Sequence, residues 1–148
     1  MILLLVTVIG VVVATVAIHG LAVMLLFNIA RKPLTLAKKL TPHFRLGISC
    51  FFVIGFVLAH IVEIVLWAAA YRLAGELQSF EEAVYFSAVT FATIGYGDIT
   101  LSSDGRLASA LEGVNGILLF GWTTAFLFKV SEFLWVSQGV ERRKAASP

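Results

Sequence analysis

Three apolar stretches, residues 2–30, 46–71 and 107–136, dominate this chain, and each exceeds the roughly 20 residues a helix needs to cross a bilayer. Hydrophobic residues make up 59% of the 148 and charged residues only 14%, with a mean hydropathy of +0.96. A soluble domain of this size needs far more polar surface, so the composition excludes that class. The first stretch has no basic start and outruns the ~7–15-residue apolar core of a secretory signal, so residues 1–30 read as a retained transmembrane helix. The single cysteine, Cys50, falls in the second stretch and has no partner for an intrachain disulfide.

Charge placement orients the chain. The linker 31–45 carries Arg31, Lys32, Lys38, Lys39 and Arg45, and the tail 137–148 carries Arg142, Arg143 and Lys144. Between the second and third stretches, Glu76, Glu81, Glu82, Asp98 and Asp104 face only Arg72 and Arg106. Basic loops stay in the cytoplasm, which predicts an external amino terminus, an external loop between the second and third helices, and a cytoplasmic linker and tail. Basic runs that flank membrane helices act as topogenic charge, so no nucleic-acid partner is expected. The expected location is a membrane, with a bacterial inner membrane suggested by the small size.

Within the acidic loop, Ser79-Phe80-Glu81-Glu82 reads as a helix start, with Ser79 as N-cap and Glu82 completing a capping box. Running to about Phe91 or Ala92, this helix has roughly 12 residues and is about 18 Å long at 1.5 Å per residue, too short to cross. It is expected to enter from outside and stop partway, aiming its partially negative carboxyl end at the membrane interior, where a cation is stabilised. The chain then returns through Thr93-Ile94-Gly95-Tyr96-Gly97-Asp98. Extended backbone at that depth is tolerated only where protein encloses it and it lines an aqueous path.

That string resembles the selectivity filter of potassium channels. The resemblance covers about 46–136 and implies an outer helix over 46–72, a pore helix over 79–92, a filter over 93–98 and an inner helix over 106–136. It implies an all-α membrane protein: three transmembrane helices plus a re-entrant pore helix and an extended filter, assembled as a homotetramer in the lipid bilayer. The chain resembles small prokaryotic channels of the two-helix pore group, with an added amino-terminal helix. K⁺ is then the permeant ion, bound by the backbone carbonyls of Thr93, Ile94, Gly95 and Tyr96 and the Thr93 hydroxyl, with Gly95 and Gly97 supplying left-handed backbone. Tyr85, Phe86 and Asp98 stand where the family supports its filter. Two departures are visible: Tyr85-Phe86 replaces a tryptophan pair, and Val89 replaces a carboxylate found behind some bacterial filters. Gly116 and Gly121 occupy inner-helix positions where a hinge is found, although a membrane glycine equally serves close helix packing.

The remaining polar residues are read from position. Gly113, Ile117, Phe120 and Thr124 share an inner-helix stripe expected to face the pore, and Phe128 lies one turn further as a candidate constriction. Glu112 and Asn115 sit beside that stripe as a candidate polar brace, with Asn115, the pore helix or a neighbouring subunit as possible partners of Glu112. His60 and Glu63, three apart, are expected to pair with each other; His19 is expected to be a packing histidine bonded to a neighbour. No catalytic constellation or phosphate loop is present in a sensible place, so neither enzyme activity nor a cofactor is expected. The first helix has no row of arginines, which argues against an arginine-rich voltage sensor. Two rivals to a potassium channel remain: a weakly selective cation channel, and a non-conducting scaffold or subunit retaining the pore fold.

Overall fold

The computed structural model describes the backbone of residues 2–35 and 41–136, with side chains over 6–31 and 41–135. Lys38, Lys39 and the tail with Arg142, Arg143 and Lys144 lie outside the described residues, as does the side chain of Lys32. Among the described residues four α-helices follow in order: α1 (Ile2–Thr35), α2 (Pro42–Leu73), α3 (Phe80–Phe91) and α4 (Arg106–Ser131), the last running into a π-helical turn at Glu132–Val136. The spans Val6–Arg31, Pro42–Leu73 and Arg106–Trp135 are each long and apolar enough to cross a membrane, with mean hydropathies of 2.5, 2.4 and 1.4.

Local chemistry explains the boundaries. Apolar onset suggested a start for α2 at residue 46, but the helix begins at Pro42, behind an extended Thr41. Proline suits the first helical position, where its missing N–H leaves no bond unmade. At the other end Gly75 adopts φ +76°, Glu76 N–H bonds the Tyr71 carbonyl at 3.1 Å and Gly75 N–H bonds that of Arg72 at 3.2 Å. This pair of bonds is the Schellman stop, which needs a left-handed residue and therefore glycine. Glu76 then reaches across the loop to Ser102, accepting its amide at 3.0 Å and its hydroxyl at 2.8 Å. The carboxylate thus caps the loop turn that opens α4, where a negative charge is favourable.

α3 begins behind the expected N-cap, with one of the two bonds of the expected capping box. Ser79 is extended and its hydroxyl oxygen accepts the Glu82 amide at 3.1 Å. The helix packs between α2 and α4, while α1 lies against both of these. Two apolar clusters hold the bundle. At the end carrying α3, Trp67, Ala68 and Tyr71 of α2 meet Val8, Phe86, Phe91 and Leu119. At the opposite end Phe52 and Phe56 meet Leu26, Ala30, Val130 and Leu134. Between the clusters lies a buried polar layer of Thr15, His19, His60, Glu63, Asn115 and Thr123. In hydrocarbon, helix association rests on such close packing and on interhelical hydrogen bonds, because lipid is as apolar as the helix faces.

Ser79→Ala removes the acceptor for an otherwise orphaned amide and should destabilise the purified protein by about 1 kcal/mol, whereas Ser79→Asp should not. Thermal unfolding in detergent micelles checks this.

Candidate functional site

The segment Thr93–Asp98 leaves the carboxyl end of α3 with an unusual backbone. Thr93, Gly95 and Gly97 have φ of 59°, 52° and 77°, and Thr93 is the one non-glycine with positive φ among the described residues. A β-branched residue there is a genuine outlier that the surroundings must enforce. The enforcement is visible in the amides: Thr93 N–H bonds the Thr90 carbonyl at 2.9 Å, and Ile94 and Gly95 N–H both bond the Val89 carbonyl at 2.8 and 3.1 Å. The segment's first three donors are therefore spent on α3. Its side chains are open, with Ile94 54% and Tyr96 68% exposed, and an open cavity of about 520 Å³ lies alongside, lined by Thr90, Thr93, Gly95, Gly97, Ser109 and Gly113 among others.

The two aromatic residues expected to support this segment part company. Tyr85 donates its hydroxyl to Asp98 Oδ2 at 2.7 Å, linking α3 to the end of the segment. The Asp98 carboxylate accepting that proton holds the Tyr85 hydroxyl above the usual phenol range. Phe86 instead is buried and packs edge-on against Tyr71, with ring centroids 5.3 Å apart.

α4 sets the depth of the segment through its glycines. A Cβ at Gly116 would collide with the backbone carbonyl of Phe91, the last residue of α3, while one at Gly113 would touch the Thr90 carbonyl at 3.6 Å and Thr93 Cγ2 at 4.0 Å. Gly116 is thus a close-approach position; Gly121 has nothing within 4 Å. On the expected pore-facing stripe, Ile117 and Phe128 are exposed at 59% and 67%. Phe120 turns back onto His60 and Phe91, with centroids at 4.4 and 5.6 Å.

Glu112 is fully buried and does reach α3. Ser87 of α3 lies 2.5 Å from its Oε1, and Tyr71 of α2 donates to its Oε2 at 2.7 Å. One carboxyl group therefore joins α2, α3 and α4 behind the segment. Asn115 is not its partner: the Asn115 amide donates instead to Thr15 Oγ1 on α1 at 2.8 Å. Tyr71 and Ser87 were missed by sequence reasoning, and a hydroxyl in an apolar stretch is too common a signal to have found them. His60 and Glu63 pair as expected, at 2.8 Å, and the neighbour to which His19 was expected to bond is Glu63 itself, at 3.0 Å.

Gly116→Ala should destabilise the protein by about 1–3 kcal/mol or more, since the obstacle is backbone rather than a movable side chain, while Gly121→Ala should be near neutral. Amide exchange at Thr93, Ile94 and Gly95 should accelerate only in the first. Glu112→Ala strands the Tyr71 hydroxyl, while Ser87 keeps the Ile64 carbonyl at 2.9 Å, and should cost about 1–3 kcal/mol. Glu112→Gln keeps an acceptor and should recover most of that loss in thermal unfolding.

Comparison with curated proteins and with solved structures returns no match. A family described as "Ion channel" does match, over residues 46–132, which take in α2 almost from its start, α3, the Thr93–Asp98 segment and all of α4. With more than half of its length matched and three helices fit to cross a bilayer, this chain is an integral membrane protein that belongs to the ion-channel family.

Proposed function

We propose that the chain forms a tetrameric potassium-selective channel in which Thr93–Asp98 is the selectivity filter and α3 is a re-entrant pore helix. The observation that carries this reading is the period-two backbone, with positive φ at Thr93, Gly95 and Gly97 and not at Ile94 or Tyr96. Alternating the sign of φ turns successive carbonyls to one side. With the first amides bonded back to α3, those carbonyls are left for an ion. A ring of such oxygens replaces the hydration shell of K⁺. The carboxyl end of α3 supports the same reading, since its dipole favours a cation below the filter.

The exposed state of the segment in a single chain supports assembly. Unpaired carbonyls and a 68% exposed Tyr96 are untenable at membrane depth unless other protein covers them. Four copies around one axis cover all four walls and leave a central aqueous path. The open cavity beside Gly95 and Gly97 is the place for a neighbouring copy's filter. In this assembly the filter mouth and amino terminus are external and the basic linker is cytoplasmic; Gly121 and Phe128 remain the positions for bending and constriction, and Gly116 bends only if the Phe91 contact opens.

Purified protein in liposomes tests the reading. Potassium flux should greatly exceed sodium flux, and Gly95→Ala should abolish selective flux, because alanine resists the left-handed conformation by about 1–2 kcal/mol per subunit. Equal sodium and potassium fluxes would point to a weakly selective cation pore, and no flux from a correctly folded tetramer to a non-conducting scaffold; either defeats the proposal.

A further inference from the structure

The buried polar layer joins three helices at one point. His19 of α1 places Nδ1 3.0 Å from Glu63 Oε1, and His60 of α2 places Nδ1 2.8 Å from Glu63 Oε2. On the far side of the two rings, both Nε2 atoms meet a single atom, Thr123 Oγ1 of α4, at 3.1 Å from His60 and 3.3 Å from His19. The rings are held by neighbours: Phe56 and Trp122 lie 5.5 and 5.1 Å from His19, and Phe120 lies 4.4 Å from His60, centroid to centroid. His19 and Glu63 are fully buried, and His60 and Thr123 are only 7% and 9% exposed. The buried titratable groups nearest along the bundle, Glu112 and Tyr71, are bonded to each other, and Glu112 also to Ser87.

Counting protons shows what this arrangement accommodates. A threonine hydroxyl has one proton and two lone pairs. Without a metal, the uncharged arrangement that satisfies both Nε2 atoms has one donating to Oγ1 and the other accepting its proton. With each Nδ1–oxygen contact also bridged by one proton, His19, His60 and Glu63 together then hold three protons and carry no net charge. A divalent cation on the carboxylate side produces the complementary state. Both Nδ1 atoms become lone-pair ligands, both Nε2 atoms carry N–H, and the two lone pairs of Thr123 Oγ1 accept both. That is the outer partner a metal-bound histidine requires to fix its tautomer and ring orientation. The three side chains then hold two protons, so loading one dication releases one proton and leaves the site with a single positive charge.

The spacing suits the same occupant. One ligand atom from each of His19, His60 and Glu63 lies within 4.8 Å of the others, against about 3.3 Å between ligands around a tetrahedral zinc with ~2.0–2.1 Å bonds. Two imidazole nitrogens and one carboxylate favour a first-row transition metal and disfavour Mg²⁺ or Ca²⁺. We propose that His19, His60 and Glu63 form an intramembrane site for a transition-metal dication such as Zn²⁺, with Thr123 orienting both imidazoles. Such an ion ties α1 to α2 directly and to α4 through Thr123, and α4 is the helix whose Gly113 and Gly116 abut Thr93 and Phe91. Metal occupancy then becomes an input to the pore through the first helix. The site does not depend on which ion the channel passes.

The test uses the full chain, purified in detergent micelles and stripped with a chelator, with the exposed His43→Gln and Cys50→Ser changes removing surface ligands. Calorimetric titration with Zn²⁺ should give one ion per chain with about one proton released, read by repeating the titration in buffers of different ionisation enthalpy. Affinity should fall at least 10-fold in His19→Gln and about 10- to 100-fold in Thr123→Val. Co²⁺ added to the same background should give the strong visible absorption of four-coordinate cobalt, a result that needs no further variant to fold. Metal content of protein expressed in zinc-supplemented medium covers the case of slow entry into a buried site. Absence of bound metal in both preparations, binding without proton release, or unchanged affinity in His19→Gln overturns the proposal and leaves a closed proton-sharing ring in its place.

Discussion

Hydrocarbon offers unpaired polar groups nothing to bond with, and this structure is organised by that constraint. Among the described residues, the buried carboxyl groups and the buried asparagine of the spanning helices are each given a partner from another helix. Glu112 takes Tyr71 and Ser87, Asn115 takes Thr15, and Glu63 takes His19 and His60. These bonds fix which faces of the helices meet, a matter the apolar residues leave open because they pack almost as well against lipid. The polar pairs therefore specify the arrangement around α3, and the two apolar clusters fill the space that arrangement leaves.

Close backbone approach is the second element. Gly116 admits the Phe91 carbonyl, and Gly113 sits against Thr90 and Thr93, so α4 reaches the carboxyl end of α3 without an intervening side chain. The Val89 carbonyl accepts the amides of Ile94 and Gly95, and Tyr85 holds Asp98. The segment between is thus anchored at both ends. A threonine held at φ 59° is the cost of that anchoring, and its place at the first alternate position shows that the backbone pattern extends one residue beyond the glycines that advertise it.

The added helix is the least expected part of the molecule. As sequence, α1 is a uniform apolar stretch with one histidine. In the fold, His19 completes a buried group with two residues of α2 and one of α4, and Thr15 receives Asn115. An isolated histidine and a threonine in an apolar run do not reveal partners 44 to 104 positions away. Those contacts depend on the rotation of α1 about its own axis, which three-dimensional packing sets.

The sequence by itself determined the membrane class, the helix count, the Ser79 start of α3 and the place of the Thr93–Asp98 string, because these depend on local composition, on hydrogen bonds a few residues apart and on a narrow motif. His60 with Glu63 was legible for the same reason, being three residues apart on one helix. The tertiary structure alone decided that Phe86 faces the core while Tyr85 reaches Asp98, that Asn115 turns from Glu112 to α1, and that Gly116 is a contact with Phe91. Each of these turns on which face of a helix meets which neighbour. On helices that are apolar almost all round, periodicity carries no record of that choice; interhelical hydrogen bonds and backbone clearance make it.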